Sequence, residues 1–205
     1  MDLIQLATEE RGDLVTFLGD LESEEWNEPT LCEGWRVRDV AAHVISYDIL
    51  SGPATVARFV RGGFSVDRIN AIGVEKSRTL TPDQILGQYR SRARPSGLTA
   101  GMKGGIALTD GLIHHQDIRR ALGKPRQIPE ERLAAALPFS LKAPTLSGRK
   151  LARGLKLSAT DLDWATGSGP PVCGPSEALL MAFAGRAAAV DDLSGDGVAI
   201  LRARL

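Results

Sequence analysis

The chain has 205 residues, 43% of them hydrophobic and 24% charged, which is long enough for one or two domains with a real core. Lys plus Arg and Asp plus Glu each number 25, and the isoelectric point is near 6.8, so no excess charge favours nucleic acid or a membrane surface as partner. Two cysteines, Cys32 and Cys173, are too few for a disulfide framework; with no basic-then-apolar leader and no apolar run near the roughly 18 residues of a membrane span, the expectation is a reducing, cytoplasmic location.

Leu3 to Leu21 reads as an amphipathic helix, with Leu3, Leu6, Ala7, Leu14, Leu18 and Leu21 on one stripe and Glu9, Glu10, Arg11 and Asp13 largely off it. A polar stretch with Pro29 follows, and Gly34 suits a turn before a helix over 36–50. On that helix Val40, His43, Val44, Tyr47 and Leu50 share a side, so His43 faces inward. Further helices are expected over 54–60 and 66–78, the second with Ser65 as cap. Another runs from Thr81, a cap followed by Pro82 at the first helical position, to about Arg94.

The next helix, over 105–122, carries the densest chemistry of the chain: Asp110, His114, His115 and Asp117. Helical spacing puts Ile106, Asp110, Ile113, His114, Asp117 and Ala121 on one face, and turns His115 by about 100° away from it, toward solvent or a bundle edge. After Gly123 and Pro125, a helix over 129–141 is expected to kink or end at Pro138. Residues 143–150 read as a linker. Beyond them, 155–160 alternates like a strand, 171–173 suits a short partner strand, and an apolar helix runs from Pro175 to about Val190 before a last short element over 198–204. The sum is a mainly α chain: a bundle of about four main helices over 1–145, and a small α+β region over 150–205.

Buried imidazole and carboxylate groups are costly unless paired or bound to metal. Asp110 and His114 sit one turn apart, and His43 lies on a second helix, so two imidazoles and one carboxylate can meet across a bundle. That set suits Zn²⁺ with an open coordination position, or Fe²⁺ in a facial triad. Asp117 is placed to hold a ligand imidazole from behind or to pair with an arginine. Read without metal, the same residues are two core histidines and a surface acid. Cys32, just before a helix, is either a reactive thiol or a buried small side chain.

The run Cys32-x-Gly34-Trp35-x-Val37-x-Asp39-Val40-x-x-His43 resembles the N-terminal signature of the mycothiol-dependent maleylpyruvate isomerase family, whose members are DinB-like four-helix bundles. The second family motif, a carboxylate, three residues, His, then x-x-Asp, is similar to Asp110 through His114 to Asp117, and the stretches 182–186 and 193–197 resemble the family's C-terminal region. The resemblance implies a divalent metal, usually zinc, on His43, Asp110 and His114; relatives commonly carry Glu where this chain has the shorter Asp110. It also implies that Arg186 meets an anionic substrate. A carboxylate substrate needs an arginine clamp, for which Arg119, Arg120 and Arg186 are candidates.

The function implied is a metal-dependent enzyme that activates a low-molecular-weight thiol, mycothiol in the family, for attack on an electrophile, as an isomerase or an S-transferase. The alternatives are a non-catalytic bundle that binds a metal or small ligand, and a bundle that has lost its metal. The expected partners are a small thiol and an electrophilic substrate, with no nucleic acid or membrane; a homodimer is left open.

Overall fold

The computed structural model describes residues 2–205. The chain is mainly α-helical with one three-stranded sheet near its C-terminus. It divides into two compact units, the first ending at Arg126 and the second spanning Gln127–Leu205.

In the first unit, α1 (Leu3–Gly19), α2 (Val37–Ile49), α5 (Pro82–Ser91) and α6 (Gly105–Ala121) form the bundle. Helix α1 packs on α6 and α5, and α2 packs on the same two, so the four close a ring. Leu14, Leu18, Val40, Ile45, Ile85 and Ile118 meet at its centre with almost no exposure. Local chemistry sets the helix starts. Asp2 accepts the Ile4 backbone N–H and opens α1. Thr81 and Gln84 cap each other's backbone N–H groups at α5, with Pro82 at its first position. Asp39 accepts the Arg36 backbone N–H at the start of α2. Gly104 precedes α6 with φ +93°, and a Cβ there would lie 2.8 Å from the Ile4 nitrogen, so a side chain at this position would push α6 away from α1. The helices α3 (Gly52–Arg61) and α4 (Val66–Ser77) pack as a pair, with α4 against α2.

Two charges expected off the apolar stripe of α1 are buried in the bundle. Arg11 donates both terminal nitrogens to the Asp48 carboxylate of α2, at 3.3 and 3.1 Å, and Asp48 also accepts the Ser96 backbone N–H and the Thr99 hydroxyl. Glu10 is 1% exposed and meets His115 and Arg126. Pairing is what allows these groups inside.

The second unit holds α7 (Glu130–Ser140), α8 (Gly148–Ala152), α9 (Ser176–Phe183) and α10 (Val198–Arg202). Its sheet runs β2 (Ala165–Gly167), β1 (Lys156–Ala159), β3 (Pro171–Gly174), with β1 antiparallel to β2 and parallel to β3. Helix α7, which the pattern assigns to the bundle, packs against α9 and belongs to this unit. It continues through Pro138 to Ser140. The stretch over 143–150 that reads as a linker contains the start of α8. Strand β2 has no apolar alternation to announce it, since all three residues are exposed. The apolar helix expected to reach Val190 stops at Phe183: Gly185 adopts φ +87° and the Arg186 N–H bonds back to the Met181 carbonyl, a C-terminal cap. A 3₁₀ helix follows over Ala187–Asp192.

Candidate metal centre

Helices α2 and α6 present His43, Asp110 and His114 to one another. The His114 Nε2 lies 3.5 Å from Asp110 Oδ1, and His43 Nε2 lies 4.0 Å from the same oxygen. All three donor atoms fall within 4.8 Å of one another, and the two imidazole rings meet edge to face at 4.8 Å between centroids. His43 is 3% exposed at its side chain and His114 12%, whereas Asp110 is 37% exposed, so the cluster opens to solvent on its carboxylate side.

Behind His114, the Asp117 carboxylate meets Nδ1 at 2.9 Å. With an ion bound, this contact would keep the proton on Nδ1 and leave Nε2, which faces Asp110 and His43, as the donor. Trp35 covers the pair, with its ring 5.0 Å from the His43 centroid and 6.5 Å from that of His114. Two imidazoles and a carboxylate, with a carboxylate behind one ring and an opening in front, are a donor set that fits a divalent ion with positions left for other ligands.

His114 has a pKa raised well above 6.5: burial pulls it down, but the Asp110 charge and the hydrogen bonds with Asp110, Asp117 and Cys32 outweigh that. Two carboxylates holding a proton on an imidazole are also what holds a cation, and an ion entering here displaces that proton.

His115 is expected at a bundle edge and is in fact fully buried. Residues one apart on a helix face different neighbours, and here both sides of α6 are covered, one by α2 and the other by α1. The His115 Nδ1 donates to Glu10 at 2.8 Å and its Nε2 accepts from the Arg119 Nε at 2.8 Å. Both nitrogens are therefore engaged by one neutral tautomer, which leaves no lone pair for a metal. Burial holds the His115 pKa down at about 4, against the raising effect of Glu10. Glu10 is held at about 2, because the hydrogen bond from His115 and the charges of Arg126 and His115 overcome the effect of its burial. Arg119 also donates to the Lys124 carbonyl and lies 3.9 Å over the Phe17 ring, so its guanidinium is committed to the fold. Arg120 is half-buried on the same helix. Arg186 lies in the second unit, at the start of the 3₁₀ helix, where its Nη1 donates to the Ala184 carbonyl at 2.6 Å.

The Cys32–His43 run resolves into separate tasks. Val37 and Val40 are core, Asp39 caps α2, Trp35 covers the rings, and His43 joins the cluster. The Cys32 thiol donates to Asp117 Oδ2 at 3.0 Å, a contact between residues 85 positions apart that no local spacing announces. Residues 7–96 match the family model described as the mycothiol maleylpyruvate isomerase N-terminal domain.

The first unit is similar, over those residues, to the mycothiol maleylpyruvate isomerase N-terminal domain.

The matched residues run from within α1 to beyond α5 and so include His43; Asp110 and His114 on α6 lie beyond them. Two solved structures are similar to the chain: a histidine-to-alanine variant of the mycothiol-dependent maleylpyruvate isomerase, with a TM-score of 0.65, and the mycothiol-dependent maleylpyruvate isomerase itself, with 0.57. Each is 16% identical, with 95% of this chain and 91% of that chain covered, so the likeness is one of fold, and it extends past the residues matched by the family model into the C-terminal region. No curated protein matches the chain. No helix among the described residues is long and apolar enough to cross a membrane.

Proposed function

We propose that the chain is a cytoplasmic, metal-dependent enzyme that activates a low-molecular-weight thiol of the mycothiol type for attack on an electrophilic substrate, as a maleylpyruvate isomerase-like isomerase or a thiol S-transferase. The observation that carries this reading is the convergence of His43, Asp110 and His114 donors from two facing helices, with Asp117 behind one ring. The match of residues 7–96 to the isomerase N-terminal domain supports it.

His43, Asp110 and His114 would hold a divalent ion, zinc by its donor preference, which would lower the pKa of a small thiol so that it is deprotonated at neutral pH. His43 and His114 offer neutral nitrogen donors. Asp110 contributes one negative charge, which would leave net positive charge on a bound divalent ion to favour an anionic sulfur. Asp117 keeps the His114 ring in one tautomer and one orientation. Trp35 shields the rings from water on one side, and the opening beside Asp110 admits small molecules. The thiolate then adds to an electrophilic carbon. On a cis conjugated double bond, addition, rotation about the new single bond and loss of the thiolate return the trans isomer; on a substrate with a leaving group, the same attack transfers sulfur. Arg186 carries, from the sequence resemblance, the role of meeting an anionic substrate group, and its replacement by Ala should raise KM for a carboxylate substrate more than it lowers metal content.

The deciding experiment is metal content of protein purified without added metal or chelator, together with thiol-dependent turnover of maleylpyruvate. Stoichiometric metal with turnover is the expected result. Metal without thiol-dependent turnover of any electrophile would make the chain a metal-binding module, and protein that takes up no divalent ion when dialysed against it would end the proposal.

A further inference from the structure

His114 has a second edge. Its Nδ1 lies 2.9 Å from Asp117 Oδ2 and 3.6 Å from Cys32 Sγ, and the thiol and that carboxylate oxygen are 3.0 Å apart. We propose that Cys32 Sγ, His114 Nδ1 and the Asp117 carboxylate form a second cation site, selective for thiophilic d¹⁰ ions, on the side of the imidazole opposite His43 and Asp110. The assignment goes beyond the proposed activity and does not depend on it.

The spacing supports it. Ligands on one small ion, with bonds of roughly 2.0–2.3 Å, sit about 3–3.7 Å from each other, and the three distances here lie close to that range. In the set of His43, Asp110 and His114, the two imidazoles stand 4.0 and 3.5 Å from the Asp110 oxygen.

Donor chemistry separates the two sets. Nitrogen, nitrogen and oxygen suit borderline and hard divalent ions, whereas a thiolate draws soft ones. Charge agrees: Asp117 is fully buried, and a divalent ion beside one thiolate and one carboxylate gives a neutral cluster. Entry of the ion releases two protons, one from the Cys32 thiol and one from His114 Nδ1.

The backbone holds the donors in place without the ion. The Thr30 hydroxyl accepts the Cys32 N–H at 3.1 Å, and the Leu31 N–H donates to the Asp117 carbonyl at 3.3 Å. The loop before α2 is thereby stitched to α6.

A neutral imidazole has one ring lone pair. The two sets therefore compete for His114: an ion held through Nε2 leaves Nδ1 protonated, and an ion held through Nδ1 turns that pair away from Asp110. A thiophilic ion at Cys32 should displace a harder ion from His43 and Asp110.

The test is titration of the metal-free full-length chain with Cd²⁺, followed by the ultraviolet charge-transfer band of a cadmium–thiolate bond. The band should saturate at one ion per chain. It should be lost in Cys32→Ser, kept in Cys173→Ser, and kept in His43→Ala, which breaks only the first donor set. Asp117→Asn should raise the Cd²⁺ concentration needed by at least about tenfold. In the unaltered protein, stoichiometric Cd²⁺ should protect Cys32 from alkylation, read by mass spectrometry, so the result does not depend on a variant folding. An absent band in excess Cd²⁺, a band unchanged in folded Cys32→Ser, a band lost in folded His43→Ala, or undiminished alkylation of Cys32 would each overturn the second site. Failure of the proposed enzyme activity would move none of these readouts.

Discussion

At the scale of single residues, the two adjacent histidines separate most clearly. His114 faces Asp110 and Asp117, and His115 faces Glu10 and Arg119. His114→Ala should abolish metal binding at the first donor set while the bundle stays folded. His115→Ala should keep stoichiometric metal and lose stability, by about 1–3 kcal/mol, because Glu10 and Arg119 each lose a buried partner. Metal content per chain and urea midpoints of both variants check this; a stable His115→Ala without metal would invert the face assignment. Asp110→Asn removes one negative charge from the donor set, so it should weaken metal affinity at neutral and higher pH. The same charge helps to raise the His114 pKa. In the parent protein, affinity should fall with decreasing pH as a proton competes for His114, and in Asp110→Asn that fall should begin at lower pH. Chelator competition across pH measures both effects, and an unchanged profile would remove Asp110 from the set.

The pairing of α1 with α6 carries a pH dependence of its own. Folding lowers His115 from 6.5 to about 4 and Glu10 from 4.5 to about 2. In both windows the unfolded chain binds more protons than the folded one, so stability from this cluster is present above about pH 6.5 and is lost progressively as pH falls toward 2. Urea midpoints measured between pH 7 and pH 3 should decline. In His115→Gln the decline between pH 6.5 and 4 should be shallower than in the parent, and equal slopes would refute the account. The burial of Glu10 explains why α1 misleads as a pattern: the helix packs on two neighbours, so a flank that reads as polar is covered by α6 and lined with partners.

For the whole molecule, the division at Arg126 makes a specific expectation. All residues of the proposed metal set lie in the first unit, and so does its apolar core. A fragment ending at Arg126 should fold cooperatively and bind metal with the affinity of the full chain. A fragment ending at Gly123 should be markedly less stable, because it leaves Glu10 without Arg126 and Glu25 without Lys124. Circular dichroism melts and metal titration of the two fragments test this, and equal stability of both would show that the Arg126 contact contributes little.

The sequence by itself determined the helical class, most helix starts and the register of the candidate ligands. Those depend on short-range chemistry: caps such as Asp2 and Thr81, breakers such as Pro82, and the 3.6-residue turn that aligns Asp110 with His114. That His43 faces them was legible too, because the apolar side of α2 had to point into the bundle. Tertiary structure decided the rest. The fully buried place of His115, the burial of Glu10 and Arg11, and the assignment of α7 to the second unit depend on what packs against each element. Strand β2 exists because β1 offers it an edge, without any pattern of its own. The meeting of Cys32 with Asp117 joins residues that only the loop before α2, laid against α6, brings together; a contact of that kind has no period or spacing to betray it.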